Sequence, residues 1–307
     1  MNIRSILLLL CLVFSCDVFP ASKYAIPATD EGLPGAGPIR RYEWFQNLWD
    51  RKRSGWAKLV QQDQGALVFL GDSITQGWGD TMGGSFPGVK VANRGISGDT
   101  TRGVLIRLRE DVLSLNPSGV VLLIGTNDLE EKATPEVIAD NLKLIIAVLK
   151  KHSADMPIIL CNVMPSSAAK KRPADQIKKI NQLYFAAVKG DAQVTMLDTW
   201  LLFADDKGDA KKPEFPDLLH PNKTGYAKWA AALRPLLATH GFVETKPDNF
   251  HLEPGYVSLF NGHDLTGWGF RAKKTFKPTS TFDGKKASND ARYVAINGRL
   301  VVTTPPE

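Results

Sequence analysis

Along the first 240 residues, short apolar runs bounded by glycine, proline or acids alternate with longer stretches in which apolar residues recur every three or four positions. The run Ala66-Leu67-Val68-Phe69-Leu70, followed by Gly71-Asp72-Ser73, predicts a strand covered on both faces. Comparable runs predict four further strands at 89–93, 120–124, 158–163 and 194–197. Helices are predicted at 100–115, from Thr134 onward, at 174–188 and at 223–239. Thr134 is placed to cap its helix, Pro135 suits the first helical position, and Ile138, Leu142, Ile145 and Leu149 form the buried stripe. Upstream, Tyr42, Phe45 and Trp49 with Leu48, resumed by Trp56, Leu59 and Val60 beyond Ser54-Gly55, predict a helix pair laid against a core.

Strands separated by helices of this length imply βαβ crossovers. The predicted class is therefore α/β, a three-layer flavodoxin-like sandwich around a mostly parallel five-stranded sheet. Past residue 240 the period changes. A polar stretch at 241–254 reads as a linker, and 255–307 carries turn signals and alternating runs, clearest in the hairpin pattern 293–296, Asn297-Gly298, 299–302. About 50 residues of β pattern are too few to close a sandwich. An incomplete all-β segment with exposed edges is expected there.

At the other end, Arg4 followed by the apolar residues 6–14 reads as an export signal over 1–22, too short to span a bilayer. The proline- and glycine-rich residues 23–40 read as a tether, which leaves 41–240 as the main domain. Cys16 follows Val13-Phe14-Ser15 in a pattern resembling a bacterial lipoprotein box, with Phe14 an atypical member. Membrane association is expected only if Cys16 is lipidated; otherwise a periplasmic or extracellular location is expected.

The chain has 307 residues, 43% hydrophobic and 23% charged, enough to bury a full core. Its net charge of +6 comes from dispersed lysines and short runs such as Lys170-Lys171-Arg172, without one basic arm interleaved with aromatics, so no nucleic-acid partner is expected. Beyond the signal only Cys161 lies in the domain, within an apolar strand pattern, and no disulfide framework can be built. No His/Asp/Glu cluster has ligand spacing, and neither a metal nor another cofactor is expected.

In open α/β sheets ligands sit outside the carboxyl ends of the strands, so Ser73 at the end of the first strand is well placed as a nucleophile. A serine hydroxyl needs a base, an orienting acid and an oxyanion hole. Of the five histidines, His152 and His240 fall at helix ends and His251 and His263 in the linker and tail. His220 remains, preceded by Asp217 three residues earlier, which on a tight loop can fix its tautomer. Alone, this spacing also fits an ordinary surface loop. Gly98, after the second strand, would let an acyl group approach backbone N–H, although its stretch also fits a turn with an Asp99 or Thr100 helix cap. Asn127, after the third strand, could donate its side-chain amide, and the backbone N–H of Ser73 would complete the donors. Asp72 reads as a brace for the turn, and Trp78 as a candidate wall of the substrate pocket.

The blocks Gly71-Asp72-Ser73-Ile74, Gly98 in Ile-Ser-Gly-Asp-Thr, Gly125-x-Asn127-Asp128 and Asp217-x-x-His220 resemble the SGNH, or GDSL-type, hydrolases over about residues 60–240. The details are most similar to the branch that includes platelet-activating-factor acetylhydrolase subunits and bacterial lysophospholipase-like esterases. That resemblance implies ester hydrolysis through an acyl-enzyme without metal. It implies Ser73 as nucleophile, His220 as general base and acid, Asp217 as its orienting acid, and Ser73, Gly98 and Asn127 as oxyanion donors. No Gly-x-Ser-x-Gly elbow is present, which argues against the α/β-hydrolase fold. The tail from Gly255 to Trp268 resembles the opening of keto-disaccharide hydrolase domains, which have a concanavalin-like β sandwich, and so associates the chain with carbohydrate.

The expected activity is removal of a small, acetyl-like acyl group from a carbohydrate or other small alcohol by an exported serine esterase. A lysophospholipase or phospholipid acetylhydrolase is the alternative within enzymes. A non-catalytic carbohydrate-binding surface module is the alternative outside them.

Overall fold

The computed structural model describes residues 22–244, 253–275, 277–290 and 292–302. Cys16, nearly all of the expected signal segment, most of the polar linker and His251 lie outside the described residues. From Glu43 to Leu197 the chain alternates helix and strand: α1 (Glu43–Ala57), β1 (Leu67–Gly71), α2 (Ser73–Gly77), β2 (Val91–Gly95), α3 (Thr101–Asp111), β3 (Gly119–Leu123), α4 (Thr126–Glu130), α5 (Pro135–His152), β4 (Ile158–Cys161), α6 (Ala174–Val188) and β5 (Val194–Leu197). Two helices follow, α7 (Thr199–Phe203) and α8 (Lys223–Thr239).

The five strands form one parallel sheet in the order β2-β1-β3-β4-β5. It is the flavodoxin-like order that the alternation of elements predicts. Side-chain alternation sorts the sheet into two cores. Val68, Leu70, Val120, Leu122, Ile158 and Leu160 pack under α3, α5 and α6, while Leu67, Phe69, Val121, Leu123, Ile159 and Cys161 pack under α8 with Trp229, Leu233 and Leu237. Burial of Cys161 pushes its thiol up to about 12 and leaves it unreactive packing.

Several boundaries differ from the sequence reading for local reasons. The expected helix pair is one helix: α1 runs through Ser54-Gly55, because Trp49 and Trp56, two turns apart on one face, are both buried. Their burial outweighs the cost of about 1 kcal/mol that glycine imposes in a helix interior. Strand β2 sits two residues later than expected, in register with β1 from Leu67↔Val91 to Gly71↔Gly95. Helix α3 stops at Asp111 and is followed by a single 3-10 turn, Leu113–Leu115, that ends on left-handed Asn116. The short helices α4 and α7 carry too few residues to show a period and were not predicted.

Beyond α8 the described chain forms two antiparallel pairs separate from the main sheet, β6 (Gly269–Arg271) with β7 (Pro278–Thr281) and β8 (Tyr293–Ile296) with β9 (Arg299–Val302). The β8–β9 turn is Asn297-Gly298, both at positive φ, as a two-residue hairpin requires. No helix among the described residues is long and apolar enough to cross a membrane.

Candidate active site

In the order β2-β1-β3 the chain leaves β1 on one side and returns on the other, which opens a crevice at the carboxyl ends of these strands. Ser73 lies just past β1, Gly98 past β2 and Asn127 past β3. All three line one cleft of about 300 Å³ together with His220.

Ser73 opens α2. Its neighbour Asp72 is the N-cap and accepts the Ile74 N–H at 2.9 Å, the bracing role its position suggested. Burial drives the Asp72 carboxyl up to about 6 against that hydrogen bond. The strand-to-helix turn is tight: a Cβ at Gly71 would run into the Leu123 carbonyl oxygen and the Thr75 hydroxyl, so only glycine fits.

The His220 loop is built on Leu218, a non-glycine residue at φ 61°, whose carbonyl accepts the Ser166 hydroxyl at 2.7 Å. That turn folds Asp217 back on its own loop. Its Oδ1 accepts the N–H groups of Leu219 at 3.0 Å and His220 at 2.8 Å, and its Oδ2 lies 2.7 Å from His220 Nδ1. Partial burial works upward on this carboxyl, but the His220 backbone N–H, the His220 ring and the Leu219 N–H outweigh it and hold the group at about 2. A carboxylate facing Nδ1 fixes the proton there. Nε2 then presents its lone pair to Ser73, whose Oγ lies 3.0 Å away and donates to it.

Gly98 has φ 88°, and its backbone N–H, like that of Ser73, has no hydrogen-bond partner among the described residues. The carboxamide of Asn127 is buried. Its Nδ2 donates to the Asp99 carbonyl at 2.9 Å and its Oδ1 accepts from Arg172 Nη2 at 2.9 Å, which leaves one N–H of the amide unused. The cap reading of the same stretch also holds: Thr100 caps α3 and accepts the Gly103 N–H. One loop serves both purposes. Chemically, the arrangement can deliver a deprotonated serine oxygen and three N–H donors to a single acyl group.

Trp78 is a correction. Its ring is 5% exposed and packs between Phe69, Phe86, Tyr226 and Trp229, so it belongs to the core beneath α8 and does not line the cleft. Trp44 takes the wall position, 52% exposed at the start of α1, with its indole edge against Gly98. Arg40, Glu130, Lys170, Lys171 and Arg172 also line the cleft and were not singled out as site residues. The run at 170–172 reads as a solvated face by charge alone. Its place after β4 puts it at the same carboxyl edge, and that was the usable signal. Among the described residues no group of three or more His, Cys, Asp or Glu is arranged to hold a metal ion.

Known proteins resemble the chain over this domain. Platelet-activating factor acetylhydrolase IB subunit alpha2 of Homo sapiens is 30% identical over 220 residues, spanning 69% of this chain and 89% of that protein. The Rattus norvegicus subunit is 29% identical over the same span. Two solved structures share the fold: a Streptococcus pneumonia protein whose name refers to platelet activating factor, at 24% identity and TM-score 0.58 over 63% of this chain and 94% of that one, and a GDSL-like lipase of Bacteroides thetaiotaomicron, at 23% identity and TM-score 0.51 over 60% and 98%. Residues 69–228 match the GDSL-like Lipase/Acylhydrolase family, to which this chain belongs as a carboxylic ester hydrolase.

Proposed function

We propose that the protein is an exported serine esterase that removes an acetyl-sized group from a carbohydrate or similar polyhydroxylated alcohol. Ser73 Oγ attacks the ester carbonyl as its proton passes to His220 Nε2, and the tetrahedral oxyanion rests on the N–H groups of Ser73, Gly98 and Asn127. His220 then returns the proton to the leaving alcohol. In the second half a water gives its proton to His220 and attacks the acyl-enzyme, and His220 passes that proton to Ser73 Oγ as the carboxylic acid leaves. Asp217 orients the ring throughout.

The observation that carries this reading is the Asp217–His220–Ser73 chain of contacts, at 2.7 Å and 3.0 Å, opening onto unpartnered backbone N–H groups. The small acyl group is supported by the cleft, whose apolar lining is limited to Trp44, Ala169 and Leu219, and by the acetylhydrolase relatives. A long acyl chain would lack apolar walls. The sugar is supported by Trp44, which lines the cleft beside the nucleophile, is about half exposed and has Tyr42 stacked on it with ring centroids 6.5 Å apart. The resemblance of the tail to keto-disaccharide hydrolase domains points the same way, and on this reading 41–240 is the hydrolase domain and 255–307 an accessory β segment. Export rests on the amino-terminal apolar run alone.

A hydrolysis panel of acetylated sugars, short aryl esters and lysophospholipids, run with Ser73→Ala beside the wild type, tests the proposal. Rates that climb from acetate to long-chain esters would favour the lysophospholipase alternative. A wild-type protein that neither turns over any ester nor reacts at Ser73 with a fluorophosphonate would leave only the binding-module reading.

A further inference from the structure

The cleft is strongly cationic. Arg40, Lys170, Lys171 and Arg172 line it against a single acid, Glu130. The two guanidiniums are already matched: Arg40 pairs with Glu130 at 2.5 Å and with Glu131 at 2.7 Å, and Arg172 pairs with Glu130 at 2.9 Å. Neither Lys170 nor Lys171 has an ion-pair partner among the described residues, so two ammonium groups border the cleft uncompensated.

The backbone beneath them is fixed. Arg172 Nη1 donates to the Lys170 carbonyl at 2.6 Å, and the N–H groups of Lys170 and Arg172 both donate to the Ser167 carbonyl at 3.0 Å. Lys171 sits at φ 60°, left-handed backbone that glycine adopts freely and a residue with a side chain adopts at a cost. The left-handed residue ends the short turn Ala168–Lys170, so the backbone that carries both lysines is set beside a guanidinium anchored in the site.

We propose that Lys170 and Lys171 form an anion subsite, and that the preferred substrate is an ester whose alcohol half carries a negative charge. The inference rests on the short-acyl reading above: an acetyl group has no charge of its own, so the anion must belong to the alcohol. A carboxylate of an acylated uronic acid or the phosphate of an acylated phospho-alcohol supplies this chemistry. Because Lys171 is exposed and Lys170 partly so, the discrimination is modest, about tenfold, and is screened by salt.

The test compares kcat/KM within two matched pairs: an acetylated methyl galactosiduronate with its carboxylate free against the acetylated methyl galactoside, and acetylated glycerol 3-phosphate against monoacetylglycerol. The charged member of at least one pair is expected to be favoured about tenfold at low ionic strength, and which pair shows the preference identifies the source of the anion. The preference should shrink toward unity in about 0.5 M salt and reverse in a Lys170→Glu, Lys171→Glu variant. If that variant fails to fold, the salt dependence of the wild type decides alone. Equal rates within both pairs, with hydrolysis still dependent on Ser73, overturn the subsite and leave the esterase standing. Absence of any Ser73-dependent hydrolysis overturns both.

Discussion

Arg172 fixes which way Asn127 faces. A guanidinium only donates, so the carboxamide oxygen turns toward Arg172 Nη2 at 2.9 Å and the amide nitrogen toward the Asp99 carbonyl at 2.9 Å, with one N–H left for the cleft. Arg172 is itself buried and tied to the Thr126 carbonyl at 3.0 Å and to Glu130 at 2.9 Å. Asn127→Ala should lower kcat on p-nitrophenyl acetate by about 10²–10³-fold, the usual loss for one oxyanion donor. Arg172→Ala should cost about tenfold by releasing the amide from its orientation. The double variant should be no slower than Asn127→Ala, because Arg172 acts through that amide. Additive losses in the double variant would count against this coupling.

Gly98 leaves little room for a side chain. A Cβ there would lie 2.7 Å from the Trp44 ring and 3.0 Å from Arg40 Nη1, on backbone already at φ 88°. Gly98→Ala should therefore lower stability by about 1–2 kcal/mol and, by turning the N–H away from the oxyanion, reduce kcat by about 10²-fold. Thermal melts and steady-state kinetics measure the two effects separately. Adding Trp44→Ala removes the steric conflict but not the backbone strain, so it should restore part of the stability and little of the rate.

The strands, their parallel pairing and the five-residue constellation of Ser73, Gly98, Asn127, Asp217 and His220 were legible because each rests on short-range signals: an apolar run, a glycine at a strand end, an acid three residues from an imidazole. What failed was the placing of Trp78 on the pocket wall, a position that Trp44 occupies. Trp78 and Trp44 are chemically identical, and the difference lies in their neighbours. Trp78 ends α2 above Phe69 and meets Trp229 from α8, a contact across about 150 residues that no local pattern reveals. Trp44 did leave a trace, since Phe45, Trp49 and Trp56 form the buried stripe of α1 and Trp44 falls off it. An aromatic residue beside such a stripe, without belonging to it, faces outward. The turn through Leu218 was not legible either, because a leucine in left-handed backbone runs against its local preference and is held there by the hydrogen bonds around Asp217 and Ser166.

Three buried acids, Asp72, Asp99 and Asp128, should make the protein more stable in mild acid than in mild base. Burial raises Asp128 to about 7 against hydrogen bonds from the Thr101 hydroxyl and N–H, raises Asp72 to about 6 against the Ile74 N–H, and raises Asp99 to about 6 against the Arg107 guanidinium. A carboxyl that holds its proton more tightly folded than unfolded contributes stability below its unfolded value, about 3.9, and loses that contribution as pH rises through its folded value. Asp128, Asp72 and Asp99 thus act together between about pH 4 and 7, while His240, whose burial lowers its own value, acts in the opposite sense. The melting temperature should be higher at pH 5.5 than at pH 8 by about 5 °C, and Asp128→Asn should flatten the difference. Asp217, held at about 2, keeps its charge across this range, so its contribution is lost only when pH falls toward that value.

Trp44 separates a sugar platform from a simple wall. Its ring stacks parallel to Tyr42 and its edge lies against Gly98, so it can act on the substrate directly or only by bracing the oxyanion loop. If a sugar ring lies on the indole, Trp44→Ala should raise KM for an acetylated sugar about 5–10-fold, the loss of one aromatic contact, with the effect on kcat smaller than that on KM. Trp44→Phe should recover most of the affinity, because a phenyl ring keeps a flat apolar face. A bracing role gives the opposite split: kcat would fall on sugar acetates and p-nitrophenyl acetate alike, KM would stay near its original value, and the loss would track the stability of the variant. Measuring KM and kcat on both esters for the two variants distinguishes these outcomes, and an unmoved KM for the sugar ester in Trp44→Ala would remove the main structural support for a carbohydrate substrate.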